Sequence, residues 1–358
     1  MGLLKGTWSF TRYRVVGNLT DNFNDFIDEG LKKNAFSNLV GKATEKNLGW
    51  TSLENVLDTD FTYAKYKCGA NLIFALRVDR VTIPPSLLKL KVMEAEKASL
   101  AESGKKRLYR HEREEIKERV QLELRAKALN IPAFHDVCWL PEKNCLMFGS
   151  TTANIIEDFE KYFKESFNLT LQPFLPWEPL PADSKVESGA AANPIFWGRE
   201  FLTWLWFKSE ERNGIINIPA GGDHEIIFLH RLVLASGEGE YSESVVCQGL
   251  HSDMKEGREA LRQGKKIKEA RLRLAKDTAK WEFTFKADYF QFQSLKLPMT
   301  TDNEEGETDR EGQNMERIYL VVRAMETMEQ LFACFLRLRL SPQWDKEELP
   351  RMGKWLQQ

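Results

Sequence analysis

Three stretches of this sequence carry side chains whose types and spacing could do chemistry. The first is Gly221-Gly222-Asp223-His224-Glu225, two carboxylates and an imidazole beside paired glycines, as in a nucleotide-cyclase turn or a metal site. It is a single short match with no second ligand cluster nearby, and a glycine-led hairpin turn accounts for it with less. The second is Gly264-Lys265-Lys266, which lacks both the upstream glycine and the Ser/Thr of a phosphate-cradling loop. The five histidines (His111, His135, His224, His230, His251) show no zinc-binding spacing, and the serines sit in no nucleophile elbow. The expectation is therefore a protein that is not an enzyme, with no catalytic residue, metal or cofactor.

The third stretch, Lys255 to Lys280, holds ten Lys/Arg against four Asp/Glu. Its candidate phosphate contacts are Lys255, Arg258, Arg262, Lys265, Lys266, Lys268, Arg271 and Arg273. Cations gathered on one face attract a phosphate backbone through counterion release and carry little sequence information. The plainer reading is a solvated face. A second, weaker basic cluster is Lys105-Lys106-Arg107.

That cluster belongs to the most distinctive segment, Ile83 to Phe134. Pro84-Pro85-Ser86 suits a helix start, Ser103-Gly104 a bend, and Ile131-Pro132 an end. Twelve Lys/Arg and eight Asp/Glu between Pro84 and Asn130 make two helices too polar to be core. Such a pair projects as an arm, held at least in part by Glu–Lys pairs at helical spacing.

The elements around the arm read as α+β. Strands are expected at 7–16, 61–66 and 72–78, with a helix through Phe23, Phe26, Ile27, Leu31 and Ala35, started by Asn18 to Thr20, and a turn around Gly49-Trp50. After the arm come a hairpin, Val137–Leu140 and Cys145–Phe148, a helix through Ile155, Phe159 and Phe163, and a strand near 169–171. The prolines at 173, 176, 179 and 181, extended by Ser188 to Ala192, mark a linker. Beyond it lie an aromatic helix (Trp197 to Phe207) read as core, strands at 215–218 and 226–234, and a helix at 252–263. Strands at 270–274 and 281–285, an acidic loop at 302–312 and a long helix at 315–338 complete the chain. The expected segments are 1–83, 84–130, 131–175 and 176–358, with sheets mixed or antiparallel.

The chain has 358 residues and a net charge of −2, so any positive surface must be local. The five cysteines (Cys68, Cys138, Cys145, Cys247, Cys334) are scattered and odd in number, which fits free thiols in a reducing compartment. The start, Met1-Gly2-Leu3-Leu4-Lys5, has no signal-peptide core, and no apolar run approaches a membrane span. A cytoplasmic location without membrane contact is expected.

Taken in order, these features resemble the bacterial recombination-associated RdgC family. The resemblance runs through Leu48-Gly49-Trp50, the Leu72–Leu76 strand leading to Ile83-Pro84-Pro85-Ser86, the charged helical pair and Ile131-Pro132-Ala133-Phe134. It continues through the Cys138-Trp139 to Met147 hairpin, Leu171-Gln172-Pro173, Arg262 to Lys266 with Arg271–Leu274, and Asp309-Arg310-Glu311. It is looser between Lys185 and Leu250, where Cys247-Gln248-Gly249-Leu250 stands in place of a Lys-Lys-Gln cluster that some members carry. The tail from Ser341 to Gln358 is extra.

The resemblance implies a ring-forming homodimer that encircles double-stranded DNA with little sequence preference, associates with the nucleoid and restrains RecA-driven recombination. It also implies that Phe134 packs into a pocket of the partner subunit. Two rival readings differ in class. A protein–protein adaptor would use the helical arm and ignore DNA. An enzyme would use the Gly221–Glu225 turn and lose activity on Asp223→Ala.

Overall fold

The structure is a computed structural model that describes residues 2–19, 22–37, 46–178, 195–218, 221–237, 243–249, 255–298 and 310–357. Its strands are β1 (Trp8–Val16), β2 (Lys46–Ser52), β3 (Lys67–Cys68), β4 (Asn71–Val81), β5 (Asn130–Leu140), β6 (Cys145–Phe148) and β7 (Thr170–Pro173). There follow β8 (Ile215–Ile218), β9 (Gly222–Ala235), β10 (Ser244–Gln248), β11 (Lys266–Lys276), β12 (Ala279–Lys286) and β13 (Gln291–Lys296). The helices are α1 (Phe23–Lys33), α2 (Pro85–Ser103), α3 (Arg110–Lys127), α4 (Ala153–Phe167), α5 (Ile195–Glu211), α6 (Lys255–Arg262), α7 (Arg310–Arg339) and α8 (Leu349–Gln357). The fold is α+β with antiparallel strand pairing. The compact units are discontinuous in sequence: one is 1–18, 67–73 and 136–358, the other 19–66 and 74–135.

In the larger unit the strands run β10-β9-β11-β12-β13-β1-β6, followed by the end of β5, with β7 also on β1 and β8 on β9. Alternation along the strands gives this sheet two faces. On one, Phe10 stacks on Phe292 at 5.4 Å, and Phe201 of α5 and Phe332 and Phe335 of α7 close over Phe285 and Phe290. Helix α5 approaches closely enough that a Cβ on Gly198 would lie 2.1 Å from the Ala287 carbonyl oxygen. Two ion pairs tie this layer together: buried Arg199 donates two bonds to buried Asp288, at 2.6 and 2.8 Å, and buried Arg12 pairs with the half-exposed Glu329.

On the other face α4 covers the β1–β6 end. Phe159 stacks on Phe148 at 3.7 Å, and Phe163 meets Trp139 edge-on at 5.7 Å. Over β9–β13 that second face carries no helix among the described residues.

The smaller unit pairs β2 with β4, Lys46 opposite Arg80 through Ser52 opposite Phe74. A Cβ on Gly49 would lie 2.2 Å from the Phe36 Cα, so this strand admits only glycine there. The close approach lets Trp50 donate to the Asn34 carbonyl at 3.0 Å and seats its buried ring edge-on to Phe74. The arm is α2 and α3, joined through Gly104 in the left-handed conformation at φ +66°. Its own core is thin: Leu108, Ile116 and Val120 are buried, and Leu88, Val92 and Leu124 pack against them. At about 2 kcal/mol for each buried aliphatic side chain, this core contributes only a few kcal/mol, and the exposed ion pairs beside it add little.

Most expected elements are present at their places, but Gly49-Trp50 lies inside β2 rather than at a turn, and α1 starts after Asn22 and ends at Lys33, short of Ala35. The strand expected at 61–66 is instead a tight helical turn, Thr62–Ala64. Asp58 Oδ1 accepts the backbone N–H groups of Asp60 and Phe61, at 3.1 and 3.0 Å, and curls the chain into a turn. Phe61 and Tyr66 are both buried, so their spacing imitates strand alternation. The acidic segment yields Arg310 to Gly312 to the start of α7. The linker core at 179–194, the helix start at 252–254, the loop at 302–309 and Thr20 lie outside the described residues.

Candidate nucleic-acid interface

The long basic run divides into two kinds of cation. Those on and just after α6 are tied into the fold. Arg258 Nη2 donates to Glu210 at 2.6 Å, with its guanidinium 5.5 Å from the Trp355 ring. Arg262 Nε donates to the Leu356 carbonyl at 2.6 Å, and Nη1 to Glu259 at 2.8 Å, a bond that holds the Glu259 carboxyl below its ordinary range. Lys265 Nζ lies 3.2 Å from Glu243 and Lys266 Nζ 2.9 Å from Glu200. Lys268 lies 3.9 Å from Asp288. Lys255, at the start of α6, is exposed. Arg258 and Arg262 thus hold the C-terminal helix α8 against α6. The tail is part of the larger unit's core, where Trp355 packs edge-on to Trp206 at 5.1 Å.

The cations further along are presented by the sheet. In β11, Ala270, Leu272 and Leu274 are buried while Arg271 and Arg273 lie on the face that carries no helix among the described residues. In β12, Trp281, Phe283 and Phe285 are buried while Lys280, Glu282, Thr284 and Lys286 alternate onto that same face. The register puts Arg271 opposite Thr284, Arg273 opposite Glu282 and Glu269 opposite Lys286, and Glu282 in turn faces Lys296 of β13. Five cations (Arg271, Arg273, Lys280, Lys286, Lys296) therefore share one face with two acids, Glu269 and Glu282.

Glu282 accepts from Arg273 Nε and Nη2, at 3.1 and 3.0 Å, and lies 3.8 Å from Arg271. One carboxylate between two guanidiniums aligns both and neutralises only one. Strand spacing of about 4.8 Å across and about 7 Å along the chain fixes these charges in a grid. A grid suits an extended polyanion better than a single phosphate. Reading the sequence assigned Arg271 and Arg273 to the site but left out Lys280, Lys286 and Lys296. The signal was there: the apolar alternation that gives β12 its core face also gives it an opposite face.

In the smaller unit, Lys105 pairs with Glu112, and that bond raises the lysine's pKa and lowers the glutamate's. Lys106 and Arg107 are exposed beside it at the elbow between α2 and α3, without a carboxylate partner among the described residues. Phe134, on β5, is 38% exposed, with the Arg77 guanidinium 5.8 Å from its ring. Leu122, Leu129 (86% exposed) and Ile131 also lie exposed in this unit.

The Gly221–Glu225 turn is the β8–β9 hairpin, with Ile218 opposite Gly222. Asn217 donates to Asp223 at 2.7 Å, and His224 is buried with Nδ1 3.0 Å from the Gly222 carbonyl oxygen. Burial lowers the pKa of that imidazole. Among the described residues no three His, Cys, Asp or Glu side chains are grouped to hold a metal ion, and no helix is long and apolar enough to cross a membrane.

A protein-family model described as "Putative exonuclease, RdgC" matches residues 9–186. No curated protein matches the chain. The matched stretch holds β1 through β7, the arm and Phe134, whereas the cationic sheet face lies beyond it. On that match, preceded by the ordered set of motifs from Leu48-Gly49-Trp50 to Leu171-Gln172-Pro173, the chain belongs to the RdgC family.

Proposed function

We propose that this protein binds double-stranded DNA through its backbone, without catalysis and with little sequence preference, using the open sheet face of β11–β13. The observation that carries the reading is the surplus of cations held there in strand register by a buried aromatic layer. Uncharged Thr284 and Gln293 lie between them and can donate to phosphate oxygens. Family membership supports a role in recombination. The ring, the association with the nucleoid and the restraint of RecA belong to the same proposal.

A second copy of the chain completes the site. Phe134, Leu129, Ile131 and Leu122 leave apolar side chains of the smaller unit exposed, as expected of a surface that another chain covers. Phe134→Ala is then expected to shift the sedimentation coefficient from dimer to monomer. An unchanged dimer would remove Phe134 from the interface.

The ring is tested by topology. A closed ring retains a covalently closed circular duplex at salt concentrations that release a linear duplex of the same sequence; equal release contradicts encirclement. Incubating end-labelled duplex with the protein and Mg²⁺ or Mn²⁺ tests the absence of catalysis: intact label is expected, and progressive loss from the ends would make the protein the exonuclease that the family description names. In a strand-exchange assay the protein is expected to slow RecA, and exchange at the unassisted rate would contradict that part.

A further inference from the structure

Behind the basic run, the C-terminal tail lines a half-open cavity of about 350 Å³ in the larger unit. That volume is within the range of small-molecule sites. Its apolar walls are Leu261 of α6, Leu349, Met352 and Leu356 of α8, and the buried ring of Trp344. Gly264, at φ +84° after α6, has nothing within 4 Å of where a Cβ would sit and leaves its side of the cavity clear.

Three cations reach the same cavity: Lys265, Lys266 and Arg339. Glu200 is shared between two of them, 2.9 Å from Lys266 and 3.2 Å from Arg339, so one carboxylate serves two positive charges. The third is less well matched. Lys265 is only 8% exposed, yet its partner Glu243 has a side chain 80% exposed, a carboxylate in water facing an ammonium that is not. Asp345 is exposed where it lines the cavity, and no carboxylate inside the cavity pairs with Lys265 among the described residues. A buried ammonium gains most from a partner that is itself shielded from water.

We infer that this cavity is a binding site for a small monoanionic amphiphile, a carboxylate carrying an aliphatic chain, with the chain among Leu261, Met352 and Leu356 and the head on Lys265. A single negative head inside the cavity adds a shielded partner for Lys265 beside the solvent-exposed Glu243, and an aliphatic body fills the space along Leu261, Met352 and Leu356. The site is separate from the open sheet face, although Lys265 and Lys266 were also candidates for phosphate contact.

Equilibrium dialysis of the full chain against labelled octanoate, with acetate and 1-octanol as competitors, tests the inference. Octanoate is expected to bind, acetate not to compete, and octanol to compete about ten-fold more weakly than unlabelled octanoate. Met352→Trp fills the cavity and is expected to abolish octanoate binding while duplex affinity stays in place, which separates this site from the DNA reading. Lys265→Met is expected to weaken octanoate about ten-fold, to the level of octanol. Circular dichroism and the melting temperature establish that each variant is folded. No octanoate binding by the wild-type chain, octanol competing as well as octanoate, or retention by both variants would overturn the site.

Discussion

The arm and the open sheet face are both rich in lysine and arginine, and they use that charge differently. Along α2 and α3 the charges pair at helical spacing, as in Lys91–Glu94 and Arg110–Glu114, around a core of only three buried side chains. Along β11 and β12 the cations stand on strands whose reverse side is packed with Trp281, Phe283, Phe285 and Leu272. Exposed ion pairs on a thin helical hairpin contribute little and adapt to salt. Cations fixed to a rigid sheet keep their geometry when a ligand arrives and lose less entropy on binding. Composition alone does not separate the two; the depth of the core behind each charge does.

That contrast can be broken in graded ways. The largest effect is expected from Arg271→Glu with Arg273→Glu, about a 100-fold loss of duplex affinity near ~0.1 M salt, equal on unrelated sequences. A loss confined to one sequence would turn the face from backbone clamp to base reader. Next comes the arm core, where Ile116→Ala is expected to cost about 2 kcal/mol. Hydrogen exchange should then speed up across 85–127 while the amides of β11 and β12 hold; uniform acceleration would mean that the arm is not an independent folding element.

Glu282→Gln acts in the opposite direction. It removes the carboxylate that partly neutralises Arg271 and Arg273, so affinity is expected to rise about three- to ten-fold and the salt dependence to steepen. Weaker binding would show that Glu282 matters more as an aligner than as a competing charge. The smallest change is expected from Lys106→Ala with Arg107→Ala, about two- to three-fold in affinity, vanishing at high salt. A larger loss there would move the main DNA contact to the arm.

Much of this molecule was legible in the sequence because the physics is local. Pro84-Pro85 and Gly104 bracket α2, and the alternation in β11 and β12 reads directly as two-faced strands. Gly49 could be singled out in Leu48-Gly49-Trp50, but its reason, the backbone of Phe36 against it, is a long-range contact that no local pattern encodes. The same limit governs the site. Arg258, Lys265 and Lys266 look like free cations in sequence because their partners Glu210, Glu243 and Glu200 lie far along the chain, as does the Leu356 carbonyl that Arg262 reaches beyond its local Glu259. The turn at 62–64 was missed because a side-chain acceptor, Asp58, overrode an apolar spacing that resembles a strand.

The most direct test of the central claim is fluorescence anisotropy of two unrelated labelled duplexes, titrated with protein at several salt concentrations. A backbone-binding sheet face with five cations predicts equal affinities. It also predicts that log K falls linearly with log salt, with a slope of magnitude about 3–5. No binding at low salt, or affinities that differ widely between the two sequences, would contradict it, and the first of those outcomes would leave the protein–protein adaptor as the better account.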